Sequence, residues 1–142
     1  MPKLIKYSFG KLNKAVCRTT GKEQEDWRDG HVGCVGIICI YESLKKHPGE
    51  KFIYFFHDYD PSWPDIRYLR TTYGEITETE EEIIIETRNS QYTFSIGDYD
   101  LTDEDKVALM LNVGFKYDEL PYDIQINLYT GGIRVLGKKN QE

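Results

Sequence analysis

Residues 71–94 read TTYGEITETEEEIIIETRNSQYTF, three short strands joined by two tight turns. Ile83 and Ile85 share one face of the middle strand, with Ile84 and Glu86 on the other. After Arg88-Asn89-Ser90, Tyr92, Phe94 and Ile96 alternate with Gln91, Thr93 and Ser95, the period of a half-buried strand. Asn89 tolerates positive φ and Ser90 can bond back to the turn backbone, so a hairpin is specified here. Glu78, Glu80, Glu81 and Glu82 fall at the preceding bend, where mutual repulsion should turn them into solvent. Hairpins of this kind build a curled sheet or a small barrel, and ligands dock at its bends.

The flanking segments extend that sheet. In Val32–Tyr41, VGCVGIICIY, both parities are apolar, as in a central strand buried on both faces. Lys51–His57, KFIYFFH, carries aromatics on both faces and is a second central strand. Between these two, Glu42–His47 forms a turn or loop closed by Pro48-Gly49. Prolines 61 and 64 break the chain after His57, and Ile66–Thr72 alternates weakly before Gly74 allows a bend. One helix is expected at about residues 102–113. Thr102 would be its N-cap, Asp103, Glu104 and Asp105 would face the positive end of the dipole, and Gly114 would stop it. Val107, Met110 and Leu111 form its apolar stripe. DIQINLYTGGIRVLG (residues 123–137) is a second hairpin around Thr130-Gly131-Gly132. The fold class expected is α+β, a mostly antiparallel, strongly curled sheet or small barrel with one short helix. Residues 1–142 make a single domain, with 138–142 as a frayed tail.

Composition bounds the function. An apolar content of 39% in 142 residues supports one core of ordinary size. No apolar run approaches the length of a membrane span, and no apolar h-region follows the N-terminal lysines, so membrane and secretory roles are not expected. Three cysteines, Cys17, Cys34 and Cys39, cannot all pair within one chain and suit a reducing cytoplasm. The net charge of −6 is uneven: residues 1–22 hold six cations and no acid, leaving −12 on residues 23–142. The basic segment reads as a solvated edge strand whose lysines discourage aggregation, or as a phosphate-facing arm. So acidic a body argues against direct DNA binding.

Three constellations carry possible chemistry. Cys17, His31 and Cys34 are zinc-type ligands, but they lack paired spacing and a fourth partner, so no metal is assigned. His57, Asp58 and Asp60 could serve a metal-assisted hydrolase, although Asp-Pro at a strand exit is ordinary turn chemistry. Recognition groups are denser: Arg67, Arg70 and Arg88 lie beside Thr71, Thr72, Tyr73, Asn89, Ser90 and Tyr92. Arginine offers a planar fork to phosphate, hydroxyl and amide groups position it, and tyrosine offers a stacking face. Were the Thr71–Gly74 and Arg88–Ser90 bends at one end of the sheet, they would share one nucleotide-sized pocket. These residues equally suit turn capping and the balancing of the glutamates.

The pattern Thr71-Thr72-Tyr73-Gly74-Glu75-Ile76, then Thr87-Arg88-Asn89-Ser90-Gln91-Tyr92-Thr93-Phe94, resembles a hairpin signature of small β-rich phage and bacterial proteins. Such proteins include the Thoeris anti-defence sponges, which sequester cyclic nucleotide immune signals. The resemblance implies a non-enzymatic, cofactor-free anti-defence protein in the host cytoplasm. Its partner would be a small anionic nucleotide-like ligand or a defence protein, and a homodimer or higher oligomer would help to enclose a ligand. Two rivals stand beside this reading. One is an acidic inhibitor, similar to anti-CRISPR proteins, that occupies a nucleic-acid channel through Glu75–Glu86 and Asp98–Asp105; the other is the phosphoester hydrolase.

Overall fold

A computed structural model describes residues 2–21, 31–45, 47–57 and 67–139. Seven strands form one antiparallel sheet: β1 (Lys3–Cys17), β2 (Val35–Glu42), β3 (Lys51–His57), β4 (Arg67–Arg70), β5 (Gly74–Glu78), β6 (Glu82–Thr87) and β7 (Ser90–Ile96). The order is β2-β1-β7-β6-β5-β3-β4, and a further β2–β3 pairing closes the sheet on itself. One row of partners shows the closure. It leaves β1 at Cys17 for Ser90, crosses the turn to Thr87, and continues through Gly74, Lys51 and Glu42. It re-enters β1 at Lys3, so the stagger of the ring is the whole length of that strand. Such shear tilts the strands strongly and curls the sheet tightly. The expected fold class, a strongly curled and mostly antiparallel sheet with one short helix, is what forms.

The ring's inner face holds Leu12, Ile38, Ile53, Phe55, Leu69, Ile83, Ile85 and Phe94, all fully buried, with Tyr92 and Ala15 beside them. Each large apolar side chain there contributes about 1.5–3 kcal/mol by leaving water. The opposite face of β1–β3 is covered by helix α1 (Asp103–Val113) and the hairpin of β8 (Tyr122–Ile126) and β9 (Ile133–Lys138). Ile37 and Cys39 therefore point outward under Val107, Leu109 and Met110, while Ile38 and Ile40 point inward. This double burial is what the apolar parities of Val32–Tyr41 predict, although Val32 and Cys34 sit in the turn before β2. Thr102 caps α1 in a full capping box with Asp105, and Gly114 ends it in the left-handed region at φ 113°. Lys106 is buried between the helix and the sheet's outer face, its ammonium 2.9 Å from Asp98 and over the Phe9 ring. Burial alone would lower its pKa, but the Asp98 hydrogen bond and the charges of Tyr122, Asp98 and Asp103 leave it raised. Among the described residues no helix is long and apolar enough to cross a membrane.

Two expectations change. The basic N-terminal segment is no edge strand: β1 pairs with β2 along its first half and β7 along its second. The register shift at Leu4/Lys6 puts Leu4 on the same outer face as Tyr7 and Phe9, and the one at Leu12/Lys14 keeps Leu12 and Ala15 together on the inner face. The tail is partly fastened, since Lys138 ends β9 and the Lys139 N–H donates to the Pro121 carbonyl at 3.0 Å. Residues 140–142 lie outside the described part.

Close backbone approach decides Gly36 and Gly74, as it does Gly10 against the Ser95 carbonyl. A Cβ on Gly36 would overlap the Phe56 carbonyl oxygen, and one on Gly74 that of Glu86. Neither neighbour is a flexible side-chain end, so Gly36→Ala and Gly74→Ala should each cost about 3 kcal/mol in urea denaturation. Gly97→Ala meets only the Tyr99 ring and should cost less than about 1 kcal/mol. Equal costs for all three would contradict this packing. Thiol chemistry gives a second check. Burial pushes the Cys39 thiol up to about 12, whereas hydrogen bonds from Thr20 and Thr19 draw the Cys17 pKa down. Alkylation of native protein should modify Cys17 first and spare Cys39 until urea unfolds the chain.

Candidate functional site

The two bends do meet at one end of the sheet. Gly74 pairs with Thr87, so the segment before β5 and the turn after β6 are neighbours across a single ladder step. The Thr87 hydroxyl fixes that turn: it accepts from the Ser90 N–H and donates to the Ser90 carbonyl, each at 3.1 Å. Thr71 holds the other bend, its Oγ1 accepting from the Ile53 N–H at 2.9 Å while its own N–H reaches the Ile53 carbonyl.

Between the bends lies an open groove of about 810 Å³. Its walls include Arg18, Lys51, Tyr73, Glu75, Glu86 and Arg88, with the ring-closing residue Gly74 in the floor. Arg18 arrives from the end of β1. Its Nη1 donates to the Thr87 carbonyl at 2.6 Å and its Nη2 lies 3.9 Å from Glu86 Oε2. Glu86 also accepts from Gln91 Nε2 at 2.9 Å, which leaves that carboxylate engaged on both sides. Glu75 stands directly opposite Glu86 in the ladder, an unfavourable pairing unless cations sit between or beside them. Among the described residues neither Lys51 nor Arg88 enters an ion pair. Both are exposed. With Glu50 also in its lining, the groove has balanced formal charge but two uncommitted cationic heads.

The expected residues separate into three groups. Arg88 and Tyr73 line the groove, and Asn89 is exposed at the turn beside it. Arg70, Thr71 and Thr72, again with Tyr73, line a smaller cavity of about 240 Å³. Ser90 and Tyr92 turn away from both: Ser90 is buried in the turn, and Tyr92 is 3% exposed in the ring interior opposite Ile85. Tyr92 shares its parity with Phe94, and that alternation was the signal that it belongs to the core. Arg67 opens β4 opposite His57, and its side chain lies outside the described part. Arg18 and Lys51 were not expected here; the basic character of residues 1–22 was the only hint of the first.

The rival constellations fare differently. The rings of His31 and His57 meet, with Nδ1 and Nε2 2.5 Å apart, close enough that one N–H is shared. His57 is fully buried on the inner face. Asp58 and Asp60 lie outside the described residues. Among the described residues no group of three or more His, Cys, Asp or Glu is placed to hold a metal ion.

Comparison with known proteins finds no matching family model, no matching curated protein and no matching solved structure.

Proposed function

We propose that this protein acts by binding and that its groove holds a small anionic, nucleotide-like ligand. One observation carries the reading: the Thr71–Gly74 and Arg88–Ser90 bends flank a single cavity in which Lys51 and Arg88 have no ion-pair partner among the described residues. Phosphate oxygens would take those two heads, with Arg18 already oriented by the Thr87 carbonyl. At about 810 Å³ the space lies within the ~300–1,000 Å³ of ordinary small-molecule sites. Sequestration of a nucleotide-derived immune signal in a host cytoplasm, as the hairpin resemblance implies, is the use such a site would serve. A second copy of the chain would help to enclose so open a groove.

The exposed acids Glu75, Glu80, Glu81, Glu82 and Glu86 favour a second reading, an acidic inhibitor of a basic nucleic-acid channel. Salt separates the two, since many exposed pairs weaken together as ionic strength rises.

The first reading predicts that pyrophosphate raises the melting temperature saturably and is recovered unchanged after denaturation. Arg88→Ala and Lys51→Ala should each weaken it about tenfold. No saturable shift, or an affinity unchanged from the parent protein in both variants, would remove it.

A further inference from the structure

Tyr73 also lines the cavity of about 240 Å³, together with Phe52, Arg70, Thr71 and Thr72. It falls below the ~300 Å³ at which a cavity holds a whole small molecule, so it can be only part of a site. Three of its walls are flat groups, those of Phe52, Arg70 and Tyr73. The Arg70 guanidinium carbon stands 4.8 Å from the Phe52 ring centroid and 5.6 Å from that of Tyr54. Tyr73 meets Phe52 edge-on, with centroids 5.6 Å apart and planes at 87°. Two aromatic rings therefore lie against an exposed guanidinium. A guanidinium held in this way is a platform for a planar heteroaromatic ring. The Thr71 hydroxyl is committed to Ile53, whereas Thr72 is exposed and can bond a ring edge.

Slot and groove are linked by sequence as well as by space. Arg70-Thr71-Thr72-Tyr73 runs without interruption into Gly74, and Tyr73 lines both cavities. Resting on the anion-binding reading above, we infer that the ligand is a nucleotide astride Tyr73. Its base stacks on Arg70, and its phosphates lie against Lys51 and Arg88. Tyr73 then separates a stacking half from an ionic half. A free phosphate or a non-aromatic phosphate ester would fill only the ionic half.

Calorimetry on the full chain separates the halves, with pyrophosphate, adenosine and the four common nucleoside diphosphates as probes. The best nucleoside diphosphate should bind at least about tenfold more tightly than pyrophosphate, with adenosine weaker than both. Arg70→Lys keeps the charge and loses the plane. It should cut that advantage at least about fivefold and leave pyrophosphate binding unchanged. Nucleoside diphosphates no tighter than pyrophosphate, or an Arg70→Lys variant that retains the advantage, would overturn the inference and leave the ionic groove standing. Absence of binding by pyrophosphate and nucleotides alike would overturn both.

Discussion

Everything in this fold hangs on a single ladder step, Lys51 opposite Gly74, where β5 meets β3 and the curled sheet closes. Most of the outer edge of β3 is taken by β4, from Tyr54 to His57, so only its first residue reaches β5. Gly74 serves two neighbours at once. It meets Lys51 on one side and Thr87 on the other, close enough to the Glu86 carbonyl that no Cβ would fit. The same residue ends the Thr71–Gly74 bend and floors the groove. Closure of the core and assembly of the site are therefore one event.

Closure also explains why β2 and β3 are apolar on both faces. A ring of this stagger presents β1–β3 to the helix and hairpin on the outside while they line the core on the inside. Ile37 and Cys39 serve one layer, Ile38 and Ile40 the other. The outer layer needs α1 to keep its orientation. The capping box at Thr102, the Gly114 stop and the Lys106–Asp98 pair supply that. Asp98 is exposed and water screens the pair, so Lys106 is better understood as fixing the helix's rotation than as a large energetic gain.

Much of this was legible in the sequence because local periodicity carried it. The alternation of Ile83/Ile85 and Tyr92/Phe94, the Thr102 cap and the Thr130-Gly131-Gly132 turn each depend on neighbours a few residues away. β1 was not legible. Its two register shifts break the period of two, and its lysines mask a strand that pairs with β2 along one half and β7 along the other. The site was half legible. Arg88, Tyr73 and Arg70 were found because they cluster in sequence, whereas Arg18 reaches Thr87 from 69 residues away and Lys51 lies on another strand. Tyr92 was chosen for its chemistry against its own parity, and parity won.

What the groove offers is a pair of cationic heads beside an aromatic corner, set by ring closure. Amide chemical shifts followed during a pyrophosphate titration test that arrangement most directly. The account predicts saturable shifts that move together at Arg18, Lys51, Gly74, Thr87 and Arg88, residues brought together only by the closed sheet. Shifts confined to one short sequence segment, or centred on the β8–β9 hairpin instead, would contradict it.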